Sequence, residues 1–248
     1  MQGEFINFAK MLKEKLRPAL YMLPVGLSEV PPREVLPAQN FEIIASLRHF
    51  IVENVRTARR FLRACQRDFP IDDCEFHELN GHTETAEISG FLDALRRGEP
   101  MGVMSEAGCP GVADPGADVV AIAQREGLKV VPLVGPSSIL MSLMASGFNG
   151  QGFAFRGYLP VKPDERVKAI KELEATARRS RQTQIFIETP YRNNAMMQQL
   201  VKTLHPETML CVASDITAPS ESILTRPVAK WKGHLPDLAK HPAIFLID

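Results

Sequence analysis

The chain has 248 residues, of which 45% are hydrophobic and 23% charged, so its composition is that of a globular protein and excludes disordered and fibrous classes. Basic and acidic residues number 29 each, so the formal net charge is zero and any nucleic-acid contact must be local. No apolar run approaches the roughly 18 residues of a membrane helix, and the N-terminus lacks the apolar core of a signal peptide. We therefore expect a soluble, cytoplasmic protein without a membrane partner.

The four cysteines, at positions 65, 74, 109 and 211, form no C-x-x-C pair and have no histidine at metal-ligand spacing. This pattern predicts reduced thiols and no metal site.

Residues 1–17 are predicted to form an amphipathic helix, and β-rich runs then alternate with amphipathic stretches. The strands predicted in the first half are 19–25, 50–53, 75–79, 101–105 and 128–133. The helices predicted between them are 34–46, 53–69, 83–97 and 117–127. This alternation predicts crossover connections and a mostly parallel sheet.

A second α/β domain is predicted to begin at residue 134, which divides the chain into domains 1–133 and 134–248. Its predicted helices are 137–146, 164–178 and 192–204, and its predicted strands are 153–158, 184–188, 209–214, 222–230 and 243–247. Because several of these strands follow one another without a helix, we expect a mixed sheet.

The densest chemical signal is the loop from Ser105 to Gly116, which holds three glycines and two prolines directly after a predicted strand. Such a loop lets main-chain groups approach a flat ligand closely, although a plain structural turn is an alternative. Within it, Asp114 is placed to cap the following helix. The chain contains no G-x-G-x-x-G fingerprint after its first strand and no P-loop, which disfavours dinucleotide binding and phosphoryl transfer.

A second glycine-containing loop follows at 134–138. Gly135 has no side chain and leaves the main chain accessible there. Ser137 or Ser138 would cap the next helix or bind a ligand carboxylate, and capping is the favoured interpretation.

Basic residues recur on the helix predicted after Glu53. At about 100° per residue, Arg56, Arg60, Arg63 and Arg67 fall within roughly 60° of one another. A solvated face with neighbouring acids is the favoured interpretation, and a contact with a phosphate backbone is the alternative.

Aromatic, basic and acidic groups also follow two strands of the second half, where loops would expose them. The best candidates for a site there are Tyr158, Lys162, Glu188, Tyr191 and Arg192.

Several of these segments, in this order, resemble one known family. The loop from Ser105 to Gly116 resembles its S-D-A-G-T-P-G-x-x-D-P-G motif, and residues 134–138 resemble P-G-P-S-A. Residues 153–166 resemble F-x-F-x-G-F-L-P-x-K…R, and residues 188–192 resemble E-S-P-H-R. The family is the tetrapyrrole-methylase superfamily of S-adenosylmethionine-dependent methyltransferases, in its branch of ribosomal RNA small subunit methyltransferases I.

The resemblance implies a two-domain α/β fold with the methyl donor in a cleft between the domains. It implies 2′-O-ribose methylation of a cytidine in small-subunit ribosomal RNA by a homodimer, with S-adenosylmethionine as donor and neither a metal nor DNA. The donor-binding positions that it implies are Pro24, Gly26, Ser105, Glu106, Ala107, Gly108, Pro110, Ser137, Ser138, Thr189, Ala213 and Ala243.

For the chemistry itself we expect Glu53 and Glu188 to act as bases or orienting groups, because a ribose hydroxyl needs a proton acceptor. Arg56 and Arg192 are candidates for transition-state or phosphate contacts, and Tyr158, Lys162 and Arg166 for substrate contacts. A structural salt bridge is the alternative for each charged group.

The departures from the branch pattern that bear on activity include Asn54 and Glu106 in place of aspartates, Cys109 in place of threonine and Ala218 in place of lysine. These departures keep two alternatives open. One is methylation of another substrate such as a tetrapyrrole, and the other is a non-catalytic protein that binds the donor or RNA.

Overall fold

The structure, a computed structural model, describes residues 16–81 and 83–248. The helix predicted over 1–17 lies outside these residues except for its last two. The chain divides into two compact units between Pro136 and Ser137. We call them unit 1 and unit 2 and describe each by itself.

Unit 1 contains a five-stranded sheet of strand order β3-β2-β4-β1-β5. Its strands are β1 (Leu20–Met22), β2 (His49–Val52), β3 (Glu75–Glu78), β4 (Met101–Met104) and β5 (Val130–Pro132). Every pairing is parallel, which confirms the predicted crossover topology. The carboxyl ends of all five strands therefore lie along one edge of the sheet.

The helices of unit 1 are α1 (Pro32–Val35), α2 (Ala38–Ser46), α3 (Val55–Cys65), α4 (Thr85–Ile88), α5 (Asp93–Arg96) and α6 (Ala117–Arg125). The helix predicted over 34–46 is broken, because Pro37 holds the preceding Leu36 in an extended conformation with ψ of 140°. The helix predicted over 83–97 is interrupted by the 3₁₀ turn Ser89–Leu92.

Both faces of this sheet are buried. Leu20 and Met22 pack on one face with α6, whereas Tyr21 and Leu23 pack on the other with α2 and α3. A parallel sheet that is covered on both sides leaves only its ends open, so ligands are expected at its carboxyl edge.

Unit 2 contains a second five-stranded sheet, of order β6-β7-β10-β8-β9. Its strands are β6 (Phe153–Tyr158), β7 (Thr183–Ile187), β8 (Met209–Ser214), β9 (Ser222–Pro227) and β10 (Ala243–Ile247), and its helices are α7 (Ser138–Ser146), α8 (Pro163–Ser180) and α9 (Asn193–Thr203). Only β6 and β7 pair in parallel, which confirms the predicted mixed sheet.

The core of unit 2 is built around stacked Phe186 and Phe245, whose ring centroids are 5.7 Å apart. Trp231 is buried beside them and donates its indole N–H to the Leu210 carbonyl at 3.2 Å. None of the helices in the described part of the chain is long and apolar enough to cross a membrane.

Candidate functional site

Three loops of unit 1 meet at the carboxyl ends of β4, β1 and β5, which are neighbours in the sheet. The Val25 N–H, after β1, donates to the Gly108 carbonyl, after β4, at 2.9 Å. Gly135, after β5, packs so tightly on Pro24 that a Cβ built on it would lie 2.2 Å from the proline Cβ. The sheet thus holds together Pro24, Gly26 and the two glycine-containing loops that the sequence singled out.

The 105–116 loop has an irregular backbone that depends on its glycines. Gly108, Gly111 and Gly116 have φ values of +68°, +78° and +127°. A Cβ on Gly108 would lie 3.2 Å from the Leu27 side chain and 3.5 Å from the Pro136 carbonyl oxygen. The prediction that Asp114 caps the next helix is wrong, because Gly116 occupies the N-cap position and no side chain caps α6.

A pocket of about 610 Å³ opens at the same edge of unit 1, within the usual range for small-molecule sites of roughly 300–1,000 Å³. Its polar lining includes Gly26, Glu53, Thr57, Arg60, Ser105 and Glu106. Of the donor positions implied in unit 1, Gly26, Ser105 and Glu106 line the pocket, while Pro24, Ala107, Gly108 and Pro110 belong to the adjoining loops.

Hydrogen bonds connect Glu53, Glu106 and Thr57 at one wall of this pocket. The Glu106 N–H donates to Glu53 Oε2 at 3.2 Å, and the Thr57 hydroxyl donates to the Glu106 carboxylate. Burial, followed by the charges of Glu53 and Glu106, raises the pKa of Asp114 to about 6, although a hydrogen bond with Ser105 lowers it. Asp114 does not line the pocket, but the charges of two pocket residues, Glu53 and Glu106, act on it. The sequence analysis assigned Asp114 only to helix capping, although its place in the glycine-rich loop was the available signal.

Asn54 begins the helix that carries Thr57. Its side-chain oxygen accepts hydrogen bonds from the N–H groups of Arg56 at 2.9 Å and Thr57 at 3.2 Å. Asparagine and aspartate are both strong N-caps, so this departure from the branch pattern preserves the helix start. Arg56 is exposed in the first turn of α3.

In unit 2, Glu188 follows β7 and its side chain is completely buried. Its Oε1 accepts from the Thr189 N–H at 2.6 Å and from Arg192 Nη2 at 2.7 Å. Burial, the largest influence, raises the pKa of Glu188, but the hydrogen bonds from Arg192 and Thr189 and the charges of Arg192 and Arg166 outweigh it, so the pKa is lowered. Glu188 is therefore ionised at neutral pH and is better suited to orienting its neighbours than to accepting a proton.

The three substrate candidates occupy different environments. Arg166 is buried and donates from Nη2 to the Val161 carbonyl at 2.6 Å, which ties the β6–α8 connection to α8. Lys162 is exposed and pairs with Glu165 at 3.1 Å. Tyr158 is 59% exposed at the end of β6.

The remaining donor positions lie in unit 2. Thr189, Ala213 and Ala243 share one edge of the sheet, because β10 runs antiparallel to β7 and β8 and pairs Ala243 with Ser214. Ser137 occupies the N-cap position of α7, but its side chain makes no capping hydrogen bond, so the favoured capping interpretation is wrong for Ser137. Ser138 is the first residue of that helix.

Among residues 16–81 and 83–248, no group of three or more histidine, cysteine, aspartate or glutamate side chains is arranged to hold a metal ion.

A doubly covered parallel sheet with glycine-rich loops gathered at its carboxyl edge is an arrangement that binds a small molecule through main-chain groups. Over residues 32–231 the chain matches the tetrapyrrole (corrin/porphyrin) methylases, and it belongs to this family. It is therefore a methyltransferase of the S-adenosylmethionine-dependent class, which confirms the resemblance in the motifs.

Within that class, the chain is similar to proteins named ribosomal RNA small subunit methyltransferase I. It is 30% identical to that of Vibrio cholerae over 213 residues, which cover 86% of this chain and 70% of the relative. It is 32% identical to that of Escherichia coli O157:H7 over 214 residues, which cover 85% of this chain and 70% of the relative.

Two solved structures share the fold. The methyltransferase CobJ matches with a TM-score of 0.61 and 16% identity, covering 92% of this chain and 93% of that one. The cobalt precorrin-4 methyltransferase CbiF matches with a TM-score of 0.59 and 14% identity, covering 93% and 94%. At these identities the likeness concerns the fold alone.

Proposed function

We propose that this chain methylates the 2′-oxygen of a cytidine ribose in small-subunit ribosomal RNA, as a cytoplasmic homodimer that uses S-adenosylmethionine and no metal. The observation that carries the proposal is the glycine- and proline-rich 105–116 loop, which meets Pro24, Gly26 and Gly135 beside a polar pocket. The names and the extended similarity of the relatives support the choice of acceptor.

The residues fit the donor on structural grounds. At Gly108 a side chain would fill the space between Leu27 and Pro136, so the main chain there stays open to a ligand. In unit 1 the donor would be held by Pro24, Gly26, Ser105, Glu106, Ala107, Gly108 and Pro110. When bound, S-adenosylmethionine supplies a methyl group activated by a sulfonium, which an oxygen nucleophile takes in line.

The remaining donor positions implied by the resemblance lie in unit 2 and are considered there by themselves. The N-terminus of the nine-residue helix α7, with the hydroxyls of Ser137 and Ser138, suits a carboxylate. Main-chain groups near Thr189, Ala213 and Ala243 lie at the sheet edge that Glu188 orders through its hydrogen bonds to Thr189 and Arg192.

We assign Glu53 the role of accepting the proton of the acceptor hydroxyl, because its carboxylate lines the pocket. Its hydrogen bond to the Glu106 N–H fixes the orientation of the side chain. The proton would pass from the hydroxyl to this carboxylate as the oxygen attacks, and then to water, since the pocket is open to solvent. General-base assistance of this kind contributes about 10²–10⁴-fold to a rate.

The test uses methyl-labelled S-adenosylmethionine, the purified protein and small ribosomal subunits from a strain that lacks its gene. We expect label in 2′-O-methylcytidine after digestion of the recovered RNA. Label in another nucleoside would refute the assignment to cytidine. Donor binding without any labelled RNA would refute the ribosomal function.

A variant pair tests the role of Glu53. We expect Glu53→Gln to lower the rate of labelling by at least about 100-fold without weakening donor binding measured by calorimetry. Glu42→Gln, at an exposed position of α2, is the matched control and should retain the full rate. Equal rates for the two variants would refute the role of Glu53.

A further inference from the structure

Helix α3 carries an unusual concentration of positive charge for a chain with no net charge. Between positions 55 and 67 there are five arginines and no acidic residue. All five are exposed: Arg56, Arg59, Arg60, Arg63 and Arg67. The helix itself ends at Cys65, so Arg67 lies just beyond its last residue.

The contacts of these arginines decide between the two interpretations of the charge pattern. None of Arg56, Arg60, Arg63 and Arg67 forms an ion pair with another residue in the described ranges. Arg59 differs, because its guanidinium lies over the Phe76 ring at 5.3 Å from the centroid. A solvated face balanced by neighbouring acids is therefore not what the structure shows.

The same helix also forms a wall of the unit 1 pocket. Thr57, Arg60, Phe61 and Ala64 line it. At about 100° per residue, Arg56 and Arg63 lie within roughly 60° of Arg60 on the side of the helix away from Phe61. Arg60 thus belongs both to the pocket wall and to the row of arginines that have no ion-pair partner among residues 16–81 and 83–248.

We propose that the arginine face of α3, formed by Arg56, Arg60 and Arg63 and continued by Arg67, binds the phosphate backbone of an RNA whose target nucleotide enters the adjacent pocket. This inference rests on the proposed function, since it takes RNA as the acceptor. Residues three or four apart on a helix lie about 5–6 Å apart at Cβ, so the guanidinium groups can reach neighbouring phosphates along a strand. The planar fork of arginine matches phosphate oxygens with two hydrogen bonds.

A surface of arginines also makes a defined contribution to RNA binding. Phosphate contacts position a nucleic acid without reading its sequence. The arginine face would therefore supply salt-dependent affinity, while the choice of nucleotide would fall to the pocket.

The experiment compares Arg60→Gln/Arg63→Gln with Lys168→Gln/Lys171→Gln. Both pairs remove two exposed positive charges from a helix, and the two lysines lie on α8 outside every site described above. Affinity for a small-subunit RNA transcript is measured across a salt series, and donor affinity is measured separately by calorimetry. Glutamine is a good helix former, so α3 should persist.

For the arginine pair we expect RNA affinity to fall at least about tenfold and the magnitude of the negative slope of log K against log salt to decrease by about 1.4–1.8, as for two lost phosphate contacts. The lysine pair should keep the wild-type affinity and slope. Equal RNA affinity and slope for the two double variants would overturn the inference.

The two proposals fail in distinguishable ways. If RNA is labelled normally but the arginine pair binds it as the wild type does, only the inference fails. If the arginine pair loses salt-dependent binding but the wild type labels no RNA, the phosphate contact stands, whereas the proposed function fails and with it the entry of a target nucleotide into the pocket. If the wild type does not bind RNA at all, both fail.

Discussion

Replacing Glu188 by glutamine removes a charge from the interior of unit 2 while preserving the shape of the side chain. Glu188 has a completely buried side chain, whereas its partner Arg192 is 41% exposed. Glutamine keeps an oxygen that can accept from the Thr189 N–H, but it loses the charge-assisted hydrogen bond to Arg192. It also buries an amide NH₂ next to that guanidinium.

The magnitude follows from these contacts. A hydrogen bond to a charged group contributes about 1.5–3 kcal/mol net. Because Arg192 can regain water once its partner is neutral, we expect the free energy of unfolding to fall by about 1–2 kcal/mol. For a chain of this size that corresponds to a decrease in Tm of roughly 2–4 °C.

The pH dependence has a definite sign. The folded-state pKa of Glu188 is lowered from its ordinary value of 4.5, so its charge stabilises unit 2 fully above that value. This contribution is lost as the pH falls through the folded-state pKa. The wild type should therefore exceed Glu188→Gln by a constant margin from pH 8 to about pH 5.5, and the margin should shrink below about pH 4.5.

Fluorescence of Trp231, the single tryptophan of the chain, reports the unfolding of unit 2 because this residue lies in its core. Glu165→Gln is the matched control, since it neutralises a surface pair with Lys162 that is worth about 0–1 kcal/mol at most. Equal Tm values for Glu188→Gln and Glu165→Gln at pH 7, or a stability margin at pH 3.5 as large as that at pH 7, would refute the reasoning.

Three further predictions concern unit 1. The folded-state pKa of Asp114 is raised to about 6, so this residue contributes fully to stability below the ordinary pKa of an aspartate and loses that contribution as the pH rises through 6. The free energy of unfolding of Asp114→Asn should therefore exceed that of the wild type by about 1–2 kcal/mol at pH 7 and equal it at pH 3.5. Urea unfolding at each pH measures the difference. Asn54→Ala should cost about 1 kcal/mol through the lost N-cap of α3, whereas Asn54→Asp should cost nothing, and equal circular-dichroism melting curves for the two variants would contradict the capping role. Gly135→Ala should cost about 1–3 kcal/mol and abolish donor binding measured by calorimetry, because its Cβ would collide with Pro24 at 2.2 Å. Gly90→Ala should change neither quantity, because beyond its own chain neighbours its Cβ would meet no atom within 4 Å among the described residues.

The order and type of the elements followed from local patterns. A β-strand shows as a short run of residues with high β propensity and an amphipathic helix as a 3.6-residue period, so the strands Phe153–Tyr158 and Met209–Ser214 could be placed from sequence alone. The failures were also local, but they depended on a single residue in context. Pro37 divides one predicted helix because it restricts the residue before it.

In the candidate site, too, some features follow from local sequence and others depend on the fold. A cluster of glycines and prolines after a strand already singled out the 105–116 loop, because such residues are needed where the backbone bends sharply. The environment of each charged side chain depends on residues far away in the chain. Burial and the charge of Glu53, in the β2–α3 turn, raise the pKa of Asp114. Arg166 was predicted as a substrate contact, but the fold buries it and its guanidinium donates to the Val161 carbonyl.

The sequence by itself determined the alternation of strands and helices, the division into a parallel and a mixed sheet, and the loops that could hold a ligand. These features depend on periodicity and on the conformational limits of glycine and proline, which act over a few residues. Only the tertiary structure decided the strand order, which brings the loops after β1, β4 and β5 together. It also decided which charged side chains are buried and which are paired. Glu188 is buried and paired with Arg192, whereas Arg60 lines a pocket and has no ion-pair partner among the described residues. Burial and pairing differ in this way because they depend on neighbours that only the fold brings together.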